Sequence, residues 1–154
     1  MKKIGVLLHG SGVFDGSEIH ESVFTLLAIA EAGAEAVCFA PNVNQHHVLN
    51  HTTGEEMPET RNVLVESARI ARGNIKDIVD IKASELDGLV MPGGFGTAKN
   101  ITKWAFEGPN GPILESVKNL IVELVAQEKP IAGLCMSPTT GRNGIPRAFD
   151  GWNP

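Results

Sequence analysis

Short runs rich in Val, Ile and Leu recur along the chain, alternating with stretches of helical spacing, and this alternation most constrains the fold. Residues 2–8 form the first run and close on the turn His9-Gly10-Ser11-Gly12-Val13-Phe14-Asp15-Gly16. Residues 18–32 then carry Ile19, Val23, Leu26, Leu27 and Ala30 at helical intervals, with Ser17 placed to cap the helix and Gly33 to stop it. Residues 35–40 read as a second strand closed by Pro41, and 42–60 as a long polar loop. Residues 62–72 read as a helix, with Val63, Ser67 and Ile70 along one side and Gly73 at its end. Residues 75–81 fit a short helical or an extended piece, and the pattern does not separate the two. A third strand spans 86–91, followed by the turn Pro92-Gly93-Gly94-Phe95-Gly96. Residues 113–127 are an amphipathic helix, and 130–134 a fourth strand that ends on Cys135. Apolar strands alternating with helices imply an α/β domain with a parallel sheet covered on both faces.

At 154 residues, 42% hydrophobic and 20% charged, the chain is expected to be one globular domain with a real core. A net charge of −5, with no Lys/Arg-rich run, argues against a nucleic-acid partner. The apolar run after Met1-Lys2-Lys3 is too short for a signal peptide, and no stretch approaches a membrane span, so no membrane partner is expected. Cys38 and Cys135 lie far apart in apolar surroundings, which suggests no disulfide framework and a cytosolic chain.

Ligands of open parallel sheets bind outside the carboxyl ends of the strands. Turns 10–16, 93–96 and 133–138 fall at such ends here. In Gly133-Leu134-Cys135-Met136-Ser137-Pro138, a strand turns sharply into a helix, which lifts Cys135 clear of the sheet and aims the following amides at an oxyanion. A helix N-terminus at that point also favours the thiolate. Spacing leaves two roles open for Cys135, nucleophile or small buried hydrophobe. Cys38, in mid-strand, reads as structural. Gly93 and Gly94 offer further oxyanion donors or form a plain connecting turn. Glu18 opens its helix, either as a dipole partner or, if it faces Cys135, as a proton shuttle of raised pKa. His20 and Glu21 read as surface residues. Gly10, Gly12 and Gly16 give GxGxxxG, one residue longer than the dinucleotide fingerprint, which argues against a phosphate loop. His46, His47 and His51 sit in the polar loop with no third ligand implied, so a solvated loop is expected and no metal. A glutaminase triad on this kind of fold takes its histidine from downstream of the cysteine. The last histidine here is His51, so that mechanism is not expected.

Residues 1–8, 12–21, 37–41 and 59–64, together with Pro92-Gly93-Gly94-Phe95-Gly96, closely resemble the ElbB glyoxalase family. That family is a PfpI-like branch of the class I glutamine amidotransferase-like superfamily. The resemblance covers residues 1–140 and implies a flavodoxin-like three-layer sandwich, usually a homodimer. It also implies cofactor-independent conversion of glyoxal, and of methylglyoxal, to the hydroxy acid, and family names link it to isoprenoid biosynthesis. By resemblance the family's elbow cysteine falls on Cys135 and its glutamate on Glu18. Cys135 then adds to a dicarbonyl, Glu18 moves a proton between its carbons, and Gly94 and Met136 hold the oxyanion beside Gly93.

Residues 141–154 match neither the family nor any period, and Gly141, Gly144, Pro146, Gly151 and Pro154 suggest an irregular tail. The expectation is a domain over 1–140, incomplete on its C-terminal side, with the elbow helix cut short at Gly141 and Gly144 and a sheet edge left open. The alternatives to an active glyoxalase are a cysteine redox sensor or interaction protein, and an inactive truncated homologue.

Overall fold

A computed structural model describes residues 1–144. Its strands β1 (Lys3–Leu7), β2 (Glu35–Ala40), β3 (Lys76–Asp77), β4 (Gly88–Met91) and β5 (Ile131–Gly133) form one all-parallel sheet in the order β3-β2-β1-β4-β5. The undecided stretch 75–81 resolves into β3 followed by a 3-10 turn, Ile78–Asp80. The helices are α1 (Ile19–Glu31), α2 (Val63–Ile70), the single turn α3 (Trp104–Glu107), α4 (Glu115–Ala126) and α5 (Pro138–Gly144). A π-helical segment, Thr97–Ile101, follows the turn after β4.

Alternation along the strands builds two cores. Val6, Leu8, Cys38 and Ala40 point to one face, where Ile29 of α1 and Val63 of α2 meet them. Leu7, Phe39, Leu89 and Met91 point to the other, against Val117, Leu120, Ile121 and Leu124 of α4. This is the flavodoxin-like α/β sandwich, with helices on both faces of a parallel sheet.

Three local expectations change. Ser17 does not cap α1. It is buried and its Oγ accepts from the His9 amide at 2.9 Å, so Glu18 becomes the cap and the helix starts one residue later. Of the expected apolar stripe of α1, Ile19, Val23 and Leu27 face outward, while Leu26 packs on the core beside the buried Ser22, Thr25 and Ile29. The elbow helix is not stopped at Gly141, since α5 runs through it to Gly144, the last described residue. A Cβ on Gly144 would come 2.8 Å from Ile121 Cδ1, so the missing side chain lets α5 lie close on α4. Residues 145–154, the rest of the expected tail, lie outside the described residues.

Candidate active site

The strand order reverses direction at β1, and the turns after β1, β4 and β5 converge at the carboxyl edge beside that switch point. Cys135 follows β5 with φ +52°, a left-handed conformation that non-glycine residues rarely adopt. The elbow is fastened on both sides: the Leu134 amide donates to Met91 O at 3.0 Å and the Ser137 amide to Leu134 O at 2.9 Å. The side chain of Cys135 is exposed.

Gly93 defines what stands next to it. A Cβ built there would lie 2.6 Å from Cys135 Cβ and 2.8 and 2.9 Å from the two carboxylate oxygens of Glu21. Cysteine and carboxylate therefore crowd one point that only a glycine leaves open. Glu21, read from sequence as a surface residue, sits in the first turn of α1 and is half-buried. Burial, and then the neighbouring Glu18 charge, raises its pKa above the usual carboxylate value. Glu18 is placed differently. Its Oε2 accepts from the Glu21 amide at 2.6 Å, its Oε1 lies 3.3 Å from His20 Nδ1, and its own amide donates to Gly93 O at 2.8 Å. It holds the start of α1 on the glycine turn. The sequence carried a signal for Glu21: it lies one helical turn beyond Glu18, so a cap at 18 sends residue 21 around to the sheet edge.

The amides of Gly93, Gly94, Cys135 and Met136 donate to no acceptor among the described residues, whereas those of Phe95 and Gly96 are taken by Val13 O and Gly16 O at 2.8 and 2.9 Å. Gly94 has φ +107°, and a Cβ there would strike Gly16 and Glu18 backbone. Beneath the turn, the Pro92 carbonyl accepts from Ser137 Oγ at 2.5 Å and from buried His9 Nε2 at 3.1 Å. Burial lowers the His9 pKa to about 4, so its imidazole is neutral, and its Nδ1 has no partner. This supporting layer was not read from the sequence.

Cys38 packs in the α1/α2 core, where burial pushes its thiol up to about 11. His46, His47 and His51 are not a free loop. His51 stacks on Phe14 at 4.8 Å, His46 lies 4.2 Å from the Phe106 ring, and His47 Nε2 accepts from Lys99. Among the described residues, no three potential metal ligands cluster.

No protein-family model matches the chain. It is 42% identical over 137 residues to the rat ES1 protein homolog, mitochondrial, covering 88% of this chain and 52% of the relative. It is also 42% identical to the human glutamine amidotransferase-like class 1 domain-containing protein 3, mitochondrial, over 88% of this chain and 51% of that one. The chain thus spans about half the length of the curated relatives it matches. Among solved structures, an isoprenoid biosynthesis protein with an amidotransferase-like domain from Ehrlichia chaffeensis superposes with TM-score 0.84 at 46% identity, over 88% of this chain and 64% of that one. A two-domain protein with DJ-1/ThiJ/PfpI-like and ferritin-like domains from Anabaena variabilis shares the fold alone, with TM-score 0.58 at 17% identity over 94% of this chain and 32% of the other. The chain has the class I glutamine amidotransferase-like fold of the PfpI kind.

The cytosolic expectation is corrected here. The curated relatives are mitochondrial by name, which points away from the cytosol.

Proposed function

We propose that the chain acts on glyoxal and methylglyoxal as a cofactor-independent glyoxalase, within the ElbB-like branch of its superfamily. The observation that carries this reading is the crowding of Cys135 and the Glu21 carboxylate around Gly93. In the proposed cycle the Cys135 sulfur bonds to one aldehyde carbon, whose oxygen takes a proton, giving a hemithioacetal. Glu21 removes the C–H proton from that carbon as the neighbouring carbonyl oxygen takes up a proton, giving an enediol. It then returns a proton to the neighbouring carbon as the hemithioacetal hydroxyl loses its own, leaving a thioester. Water cleaves the thioester, freeing the thiol and glycolate when glyoxal is the substrate. Carbon oxidation at one centre balances reduction at the other, so no redox cofactor is required. The free amides of Gly94 and Met136 are suited to the developing oxyanion, with Gly93 leaving the space. Glu18, the sequence candidate for the shuttle, is assigned the supporting role of capping α1 and raising the Glu21 pKa.

Glycolate formation from glyoxal by purified variants tests the reading. Cys135→Ser is expected to abolish turnover, and Glu21→Gln to lower kcat by about 100-fold or more, the usual size of a general acid–base contribution. Wild-type protein that forms no glycolate, or Cys135→Ser that forms it at the wild-type rate, would refute it. The exposed thiol also favours a second reading, a cysteine redox sensor. Mass spectrometry after peroxide treatment at neutral pH decides that one, which fails if Cys135 stays unoxidised. A homodimer is proposed from the family resemblance and from the exposed apolar stripe of α1.

A further inference from the structure

Lys99, in the π-helical segment, meets Phe14 of the turn after β1 and His47 of the loop after β2. The Lys99 Nζ donates to Phe14 O at 2.8 Å and to His47 Nε2 at 3.0 Å, and it lies 5.5 Å from the centre of the Phe95 ring. An ammonium group has three N–H donors, so one remains unused. Lys103 stands one turn further on, its Nζ donating to Lys99 O at 3.0 Å. Among the described residues, neither lysine has a carboxylate within 4.0 Å. The nearest acids, Asp15 and Glu56, act on the cluster from further away. Asp15 is already engaged, accepting from the Leu49 amide at 2.8 Å.

The cluster is therefore short of negative charge. Burial lowers the pKa of Lys99, and burial followed by the lysine charges lowers those of His46 and His47. Phe95 supplies an aromatic flank to Lys99, and along the chain only Gly94 lies between it and Gly93 at the Cys135 centre. Polar recognition with an aromatic wall is how a small-molecule site fixes one end of a ligand.

We propose that Lys99, with His47 beside it, is the subsite for a carboxylate carried by the substrate, so that the chain prefers 2-oxoaldehydes with an anionic end. The inference rests on the glyoxalase reading for its reaction and on the Lys99 geometry for its binding. The anion pairs with the free Lys99 donor while the aldehyde end reaches Cys135, and the reaction remains the balanced isomerisation and hydrolysis described above.

Two measurements allow the two ideas to fail separately. Glutarate is titrated into Cys135→Ser protein while the imidazole NMR signals of His46 and His47 are followed. Bound glutarate is expected to raise the titration midpoint of His47. Adding Lys99→Gln should weaken apparent affinity about tenfold or more, and adding Lys99→Arg by no more than about threefold. Unmoved imidazole signals, or unchanged affinity with Lys99→Gln in a chain folded by circular dichroism, overturn the subsite. In the second measurement, kcat/KM for 4,5-dioxopentanoate is divided by that for methylglyoxal. A wild-type ratio above about ten that falls toward one in Lys99→Gln supports the proposal, and a wild-type ratio near one overturns it. Glutarate binding without turnover of either aldehyde strikes the glyoxalase reading and leaves the anion subsite standing.

Discussion

Gly93 is held to a hydrogen side chain by its neighbours, the Cys135 Cβ on one side and the Glu21 carboxylate on the other. Gly93→Ala should push the two apart and cut glyoxal kcat/KM by about 100-fold, the cost of a misplacement near 1 Å. Unchanged kinetics would show that the pair is not the working unit. The raised Glu21 pKa sets a second expectation. In the proposed cycle its ionised form is the base that takes the C–H proton, so activity should fall as pH drops through a midpoint above the ordinary glutamate value. Glu18→Gln keeps an acceptor for the Glu21 amide but removes the like charge, so the acidic limb of kcat/KM should move down. A limb that stays put or moves up contradicts the assignment. Cys135 was legible in the sequence because a strand, a turn and a helix start can be read from local pattern. Glu21 is legible only once the cap is put at Glu18, one turn before it, and that placement depends on Ser17 accepting from His9, a contact between loop and strand end that no local pattern reveals.

The ends of β1, β4 and β5 are tied at one carbonyl, that of Pro92, by His9 and Ser137. This knot makes the elbow's stability pH-dependent. The His9 pKa is about 4 in the folded chain against 6.5 for a free imidazole, so between those values the unfolded chain binds more protons. Stability is then complete above about pH 6.5 and is lost toward pH 4, by about 3 kcal/mol in all. Glu21, with a raised pKa, acts in the opposite sense, so the difference between wild type and His9→Gln in urea melts isolates the histidine. A difference that does not vary with pH across this window would remove the claim. The four long apolar runs were legible as strands. β3 was not, because its two residues gain strand geometry only by pairing with Phe39 and Ala40. The π-helical segment also escaped, since it bends around Asn100, whose Nδ2 donates to His9 O and Asp15 O at 2.9 Å.

Across the molecule, the sheet presents two unlike edges. β3 is short and carries Lys76 and Asp77, which discourages pairing, while β5 leaves Ala132 and Gly133 exposed. A second uncovered surface lies on α1, where Ile19, Val23, Phe24 and Leu27 are 44%, 48%, 66% and 50% exposed. Periodicity revealed Ile19, Val23 and Leu27 but not their direction, and it did not mark Phe24. Ser22 and Thr25 are small enough to let α1 settle on the sheet beside Ile29 and Leu26, which turns Ile19, Val23, Phe24 and Leu27 outward. A self-complementary stripe on one helix suits a twofold interface, helix against helix. Sedimentation velocity should therefore find wild type as a dimer and Phe24→Glu as a monomer, with helicity retained because residue 24 packs on nothing within its own chain's core. Because Glu21 lies in the first turn of this helix and faces Cys135 across Gly93, loss of the dimer should also weaken glyoxal turnover. A monomeric wild type would refute the dimer, and a Phe24→Glu variant that still dimerises would move the interface to the β5 edge.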